Sequence, residues 1–137
     1  MTCAFCPIIT EPDTAGAHVV LVTPTVVAFL DRSPLFAGHT LVVPRRHVAT
    51  FSELVPDEVA DIFGAAQRVT AALPLALGCQ GAFVALNDVV SQSVPHVHVH
   101  VVPRAKGDGL RGFFWPRRRY GEGEAAATAD RLRAALS

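Results

Sequence analysis

The feature that most constrains the fold is a run of alternating histidine and valine, since residues 96–102 read His-Val-His-Val-His-Val-Val. Successive side chains of a β-strand point to opposite faces, so the pattern predicts a strand with three imidazoles on one face and valines on the other. The imidazoles would stand roughly 6.6 Å apart. Half of the six histidines of the chain lie here, which favours a functional site over an ordinary half-exposed strand.

The rest of the chain predicts an α+β domain. Apolar, β-branched runs bounded by turn residues predict four more strands, at 17–22, 25–30, 39–43 and 82–86. Apolar residues recur at helical spacing over 57–73, between Pro56 and Pro74. A terminal helix is predicted over 124–136. Because the strands follow one another with short links, we expect an antiparallel sheet of about five strands with one main helix packed on a face.

Length and composition limit the functional classes. The 137 residues suit a single domain over 1–137. Twelve basic and twelve acidic residues cancel, so no overall field favours nucleic acid as a partner. No apolar run reaches the roughly 20 residues of a membrane span, the N-terminus lacks signal-peptide features, and three cysteines are few for a disulfide scaffold. We therefore expect a cytoplasmic protein with no membrane or nucleic-acid partner.

The C-terminal segment, 104–137, begins with a basic stretch that also contains glycine and aromatic residues. Arginine is concentrated within 111–119. A solvated basic tail is one interpretation, and contact with an anionic substrate or partner is the other.

Two cysteines near the N-terminus raise the question of a metal. Cys3 and Cys6 have C-x2-C spacing, which is common in one half of a zinc site. His47 follows the third predicted strand and His96 begins the fifth, so these side chains would complete a Cys2His2 set if the two strands are neighbours. The cysteines can equally be ordinary packed residues. The three alternating histidines can instead be read as ligands of a catalytic zinc.

The histidine-bearing strand also suits nucleophilic catalysis. A neutral imidazole nitrogen can attack phosphorus when the other ring nitrogen holds the proton and donates it to an acceptor, often a backbone carbonyl. Gln92, Ser93 and His100 are nearby donors that would stabilise phosphoryl charge. The polar loop 87–93 is of the kind that faces phosphate and ribose, although an ordinary hairpin connection would look similar.

Taken together, these residues resemble the histidine triad family of nucleotide hydrolases and transferases. The resemblance covers most of residues 1–104. The motifs that carry it are Cys3-Ala4-Phe5-Cys6, Phe29-Leu30-Asp31, Gly-His-Thr-Leu-Val-Val-Pro at 38–44 with His47, Asn87, and Gln-Ser-Val-Pro-His-Val-His-Val-His at 92–100. It implies an α+β fold, a homodimer whose two sheets join into one, binding of a purine nucleotide, and cleavage at its α-phosphate.

The resemblance also implies roles for individual residues. His98 would be the nucleophile that takes the nucleotidyl group, and His100 would contact the phosphate and assist the leaving group. His96 would order the site, with His39 behind the triad. The zinc ligands of zinc-bearing members correspond to Cys3, Cys6, His47 and His96. Asp31 would accept hydrogen bonds from the ribose hydroxyls. The residues expected around the base are Phe5, Ile8, Phe29 and Arg32. Those expected at the phosphate and leaving group are Asn87, Gln92 and Ser93.

Some positions depart from the family pattern. Asp88 and Ser91 stand where glycine is common, and Arg32 replaces an apolar residue of the base pocket. The segment after Pro103 resembles the branch that cleaves diadenosine polyphosphates, whereas Ser93 and the two cysteines resemble the phosphoramidase branch. Both substrates therefore remain expectations. Two further functions stay open: a non-catalytic module that binds a purine nucleotide or a partner, and a zinc-dependent hydrolase.

Overall fold

The fold is built on one antiparallel sheet. The computed structural model describes residues 3–110 and 116–137. The strands are β1 (Val19–Val22), β2 (Val26–Leu30), β3 (Thr40–Pro44), β4 (Gly81–Ala85) and β5 (Val99–Arg104). They lie in the order β1-β2-β3-β5-β4, and every neighbouring pair is antiparallel. The predicted α+β architecture, with its five-stranded antiparallel sheet, is confirmed.

In the described part of the chain, four α-helices and one short 3-10 turn accompany the sheet. They are α1 (Cys6–Thr10), α2 (Pro12–Ala15), the turn Phe51–Glu53, α3 (Pro56–Leu77) and α4 (Glu124–Leu136). The two long helices were predicted, whereas α1 and α2 were not. With five and four residues, these helices are too short for an apolar period to be recognised. None of the helices in the described ranges has the length and apolar character to span a bilayer.

The sheet is covered on both faces. Leu41 of β3 pairs with His100 of β5, and Val42 pairs with Val99, and cross-strand partners share a face. The valine face packs against α3 in a cluster of Val26, Ala28, Val42, Ile62, Ala65, Ala66, Val69, Leu73, Val99 and Val101. The opposite face meets the N-terminal segment in a cluster of Phe5, Val27, Phe29, Leu41 and Val43. The predicted burial of the valine face is therefore observed, and the N-terminal segment lies on the face that carries His100.

The main helix is longer than predicted. It continues through Pro74 and ends where Gly78 adopts a left-handed φ of 70° and donates its N–H to the carbonyl of Pro74, over 2.9 Å. Pro74 lies in the exposed last turn, where water can satisfy the carbonyl left free by the missing N–H of proline. The predicted end at Pro74 is therefore wrong by one turn.

The fifth strand begins later than predicted. Its ladder starts at Val99, so His96 and His98 precede the strand instead of lying within it. At this point the carbonyl oxygen of Pro44 accepts a hydrogen bond from the side chain of His96, 2.8 Å long. The N–H of Val97 donates to the carbonyl oxygen of Val48 over 2.8 Å. Because residues 96–98 are not part of the β3–β5 ladder, the rings of His96 and His98 do not follow strand alternation and have different hydrogen-bond partners.

Candidate active site and metal centre

The middle triad histidine, His98, is held in a single tautomer. Its Nδ1 lies 2.9 Å from the carbonyl oxygen of His96. A carbonyl can only accept, so Nδ1 carries the proton and donates it, and the lone pair resides on Nε2. His98 is only 3% exposed, yet it lines a cavity of about 800 Å³. The ring thus combines a fixed orientation with access to a space large enough for a ligand.

A second hydrogen-bond chain fixes the last triad histidine. The N–H of Leu35 donates to Nδ1 of His39 over 3.1 Å, so Nε2 of His39 carries that ring's proton. This N–H faces Nδ1 of His100 at 2.9 Å and donates to it. Nε2 of His100 is therefore the protonated nitrogen and is available as a donor. The resemblance placed His39 behind the triad, and the geometry adds that it sets the tautomer of His100.

Burial keeps both rings of this pair uncharged. Desolvation lowers the pKa of His39, although the carboxylate of Asp31 opposes the shift. Desolvation also lowers the pKa of His100, to about 4, and repulsion from charged forms of His98 and His39 adds to the effect. Both imidazoles are consequently neutral near pH 7, in agreement with the tautomers deduced from their hydrogen bonds.

Asp31 lies beside this chain at the edge of the cavity. One carboxylate oxygen accepts the N–H of Ser33 over 2.8 Å, and the other lies 3.7 Å from Nε2 of His39. Asp31, His39 and His100 are close enough to hold a metal ion. The N–H of Leu35, however, keeps the lone pair of His39 on Nδ1, away from the other two groups. Within the trio, His39 and His100 are therefore joined by a hydrogen bond, and the Asp31 carboxylate lies beside them beyond hydrogen-bond distance.

The large cavity brings together most of the residues expected around a nucleotide. Those that line it are Phe5, Ile8, Phe29, Asp31, Arg32, Ser93, His98 and His100. Phe5 meets Phe29 edge-to-face, with ring centroids 5.4 Å apart. Residues 15–18, from the end of α2 to the start of the first hairpin, line the same cavity. Sequence reasoning missed this wall, because it depends on the unpredicted helix α2.

Two expected phosphate residues lie elsewhere. Asn87 lines a second cavity of about 610 Å³, which shares Ser33 and His100 with the first. Gln92 accepts the N–H of Val89 over 3.0 Å and donates to the carbonyl of Ala49 over 2.6 Å. The side-chain amide of Gln92 therefore braces its own loop. A role for either residue at the phosphate stays a prediction.

The loop that leads to the triad has an unusual backbone. Val89 and Ser91 have φ values of 67° and 63°, in the left-handed region. This conformation is costly for a non-glycine residue and most costly for a β-branched one. Asp88 holds the start of the loop by accepting the N–H of Phe51 over 2.7 Å. Ser91, which stands where the family commonly has glycine, therefore keeps the backbone conformation that glycine favours.

The four proposed metal ligands form one cluster. Nδ1 of His96 lies 3.4 Å from Sγ of Cys3, 3.8 Å from Sγ of Cys6 and 3.1 Å from Nδ1 of His47. Sγ of Cys6 is also 3.5 Å from Nδ1 of His47. Because Nε2 of His96 keeps its proton and donates it in a hydrogen bond to the carbonyl oxygen of Pro44, the lone pair on Nδ1 points into the cluster. A backbone acceptor of this kind is typical behind a metal-binding histidine.

These separations fit a tetrahedral zinc ion. Bond lengths of about 2.0–2.1 Å to nitrogen and about 2.3 Å to sulfur give tetrahedral edges of roughly 3.3 Å between nitrogens and 3.6 Å between nitrogen and sulfur. The observed distances, 3.1 Å and 3.4–3.8 Å, lie close to both. Two thiolates and two imidazoles are also the donors that zinc prefers in structural sites. The residues therefore fit a structural zinc ion.

The cluster separates His96 from the other two triad histidines. Within the described ranges, neither group that could hold a metal contains His98. The three rings thus do not converge on a shared metal position, which weakens the interpretation of the triad as a set of catalytic zinc ligands.

The basic C-terminal segment is only partly described. Arg104 donates to the carboxylate of Asp108, with Nε 2.6 Å from Oδ2, and to the carbonyl of Leu110 over 2.7 Å. Its guanidinium is thus engaged in the turn that ends β5. Residues 111–115 lie outside the described ranges. Contact between the arginines of 111–119 and a substrate or partner stays a prediction.

Comparison with known proteins agrees with this arrangement. A family model described as the HIT domain matches residues 13–107. The chain is 34% identical over 120 residues to the adenosine 5'-monophosphoramidase of Schizosaccharomyces pombe, covering 85% of this chain and 84% of the relative. It is 35% identical over 95 residues to the asymmetrical bis(5'-nucleosyl)-tetraphosphatase of the same organism, covering 68% of this chain but only 52% of that protein.

A solved structure extends the similarity to the whole chain. The zinc-bound histidine triad family protein of Mycobacterium smegmatis is 33% identical, with a TM-score of 0.75, and 98% of each chain is covered. Fold, histidine arrangement and family model agree. The chain therefore belongs to the HIT family, whose named hydrolases act on nucleotides.

Proposed function

We propose that this protein hydrolyses a purine nucleotide conjugate at its α-phosphate, through a covalent nucleotidyl–histidine intermediate on His98. The observation that carries the proposal is the 2.9 Å hydrogen bond from Nδ1 of His98 to the carbonyl oxygen of His96. It keeps the lone pair on Nε2 of a ring that lines the large cavity. A neutral imidazole oriented in this way is ready to attack phosphorus.

The reaction proceeds in two steps. Nε2 of His98 attacks the α-phosphorus, and the bond from phosphorus to the leaving group breaks with its electron pair on the leaving group. Because His98 keeps its Nδ1 proton, the ring of the intermediate is positively charged, and the carbonyl oxygen of His96 stabilises that charge. Water then attacks phosphorus and the N–P bond breaks. The ring returns to its neutral form, and the water proton passes to solvent.

His100 and Ser93 serve as donors in this scheme. The hydrogen bond from His39 leaves the proton of His100 on Nε2, so the ring offers an N–H to a phosphoryl oxygen or to the leaving atom. With a pKa of about 4, His100 stays neutral near pH 7 and does not repel the charged ring of His98. The resemblance assigns Asn87 and Gln92 to the phosphate and leaving group as well.

The remaining cavity walls suit a nucleoside. Asp31 accepts hydrogen bonds from the two ribose hydroxyls. Among the described residues, its second carboxylate oxygen lies 3.7 Å from Nε2 of His39, beyond hydrogen-bond distance, so that oxygen is available to a ligand. The base lies among aromatic and aliphatic side chains, with one guanidinium at the rim. These residues are Phe5, Ile8, Phe29 and Arg32. Aromatic walls of this kind favour a flat purine ring.

The conjugate is an adenosine phosphoramidate or a diadenosine polyphosphate. The two Schizosaccharomyces pombe relatives are named for activities of these two classes. Since the chain spans about half the length of the tetraphosphatase, that activity is carried over as a proposal only. Both substrates share an α-phosphate next to the ribose, and they differ only in the group that leaves.

We also propose a structural zinc ion and a cytoplasmic homodimer. Zinc bound by Cys3, Cys6, His47 and His96 supplies a cross-link between the N-terminal segment and the sheet, and it takes no part in the chemical steps. The homodimer is supported by β4, which is an edge strand within the described residues. An edge of this kind can pair with the same strand of a second copy.

A substrate panel with a matched variant tests the mechanism. His98→Asn keeps an amide N–H near the position of Nδ1 but removes the nucleophilic nitrogen. We expect it to lose at least roughly 1,000-fold in kcat on both substrate classes, while AMP binding, measured by calorimetry, stays close to that of the wild type. Mass spectrometry of the acid-labile adduct in a quenched wild-type reaction should locate the nucleotidyl group on His98. Near-normal turnover by His98→Asn would refute the mechanism.

A further inference from the structure

Phe5 connects the metal cluster to the nucleotide pocket. It lies between Cys3 and Cys6 in the sequence, and it also lines the large cavity. We infer that metal binding and nucleotide binding are thermodynamically coupled through Phe5, so that each ligand raises the affinity of the protein for the other. This inference rests on the function proposed above, because it assigns the cavity to a nucleotide.

The ring of Phe5 touches both sites at once. It is 8% exposed and stands edge-on to His98, with centroids 5.1 Å apart and planes at 83°. On its other sides it meets Phe29 at 5.4 Å and His96 at 6.1 Å. One side chain therefore contacts the proposed nucleophile, a wall of the base pocket and a metal ligand. A displacement of Phe5 would change all three.

The metal cluster supplies the polar attachment of the segment that carries this ring. Within the described ranges, the hydrogen bonds that join residues 3–17 to the rest of the fold are those of the Cys3 and Cys6 thiols with His47 and His96, at 3.4–3.8 Å. The remaining attachment is apolar packing, and α1 contains no buried residue of its own. A thiol is a weak donor and a weak acceptor, so these contacts alone hold the segment loosely. Coordination to a cation would turn them into strong bonds.

The coupling follows from reciprocity. If metal fixes Cys3 and Cys6, the ring of Phe5 is already ordered when a nucleotide arrives, and binding costs less conformational entropy. A nucleotide packed against Phe5 must stabilise the metal-bound arrangement by the same factor. Coupling between two sites joined by one packed side chain is expected to be on the order of 10-fold in each affinity.

The test measures both halves of the cycle with Zn²⁺ and AMP as probes. The dissociation constant of AMP is measured by calorimetry on zinc-loaded and chelated protein. The affinity for zinc is measured on loaded protein by equilibrium transfer to a chromophoric chelator, with and without saturating AMP. We expect a tenfold tightening in each direction. Circular dichroism checks that chelated protein stays folded. If it unfolds, the two ligands are linked through global folding, and the inference that the coupling passes through Phe5 is overturned.

A matched pair of variants tests whether the coupling passes through Phe5. Phe5→Leu keeps an apolar side chain of similar reach but loses the aromatic edge against His98, and it should lower the effect of AMP on zinc affinity to less than about twofold. Ile9→Val is the control, because Ile9 packs against the same cluster but does not line the cavity. It should keep the tenfold effect, with zinc content unchanged in both variants.

The outcomes separate the inference from the proposed function. If zinc-loaded wild type fails to bind AMP, the proposed function fails. If AMP binds equally well with and without zinc, or zinc does not bind, the coupling is refuted while the proposed chemistry at His98 stands. If Phe5→Leu keeps the full tenfold effect, the coupling does not pass through Phe5 and the inference is overturned.

Discussion

Acidification should weaken this fold through His100. Burial beside His98 and His39 lowers the pKa of this ring from 6.5 to about 4, whereas the unfolded chain keeps a value near 6.5. Between these two pKa values the unfolded state binds a proton at His100 and the folded state does not, so protonation favours unfolding. The stabilising difference is complete above pH 6.5, and it is lost progressively as the pH falls toward 4.

The two pKa values set the size of this loss. Between about pH 8 and pH 5, proton linkage gives a decrease of roughly 2 kcal/mol in the free energy of unfolding, at 1.36 kcal/mol per pKa unit. His100 is only partly buried, so solvent screening reduces the effect, and we expect about 1 kcal/mol.

Urea unfolding of wild type and His100→Asn measures this contribution. Asparagine keeps an oxygen acceptor for the N–H of His39 but does not titrate. Acid also releases metal from imidazole and thiolate ligands, so the two proteins are compared at matched zinc content. The wild type should lose about 1 kcal/mol more than the variant between the two pH values. The same pH dependence in both proteins would show that His100 is protonated as readily in the fold as in the unfolded chain.

Three further predictions concern other parts of the site. Asp31→Ala should abolish most of the discrimination between AMP and its 2′-deoxy analogue, which we expect to be about 10- to 100-fold in wild type; equal binding of both nucleotides by wild type would contradict the ribose assignment. Val89→Gly should raise the free energy of unfolding by about 1 kcal/mol, because it removes a left-handed β-branched residue, whereas Val90→Gly, the control, should not stabilise. Metal analysis should find one zinc per chain, and chelation should lower the melting temperature; full stability without metal would argue against a structural role.

Alternation and periodicity predicted the parts of the fold that long-range packing determines. The valines at 99 and 101 are fully buried against α3, as expected from the two-residue period of a strand. The same rule predicted that β5 begins at His96 and not at Val99, because side-chain alternation does not show where the hydrogen bonds between strands begin. Here the carbonyl of Pro44 binds the side chain of His96, which no local pattern encodes.

The site was predictable where side-chain chemistry is specific. Cys3 and Cys6 were predicted to form a Cys2His2 set with His47 and His96 if the third and fifth strands were neighbours. The two strands do pair, and the four side chains lie together. Gln92 was harder to interpret, since its amide can serve phosphate or backbone, and it bonds to Val89 and Ala49. The role of His39 in setting the tautomer of His100 could not be predicted from sequence either, because it depends on the hydrogen bond from the N–H of Leu35.

The proton on the proposed nucleophile, His98, is positioned by a main-chain atom, which every amino acid possesses. The acceptor for Nδ1 of His98 is the main-chain oxygen of residue 96, and not the imidazole of that residue, which belongs to the metal cluster. Substitution at position 96 would therefore remove a proposed metal ligand and still leave the tautomer of His98 intact. Related chains can therefore differ in whether they bind the proposed metal and still hold the histidine at position 98 in the same tautomer.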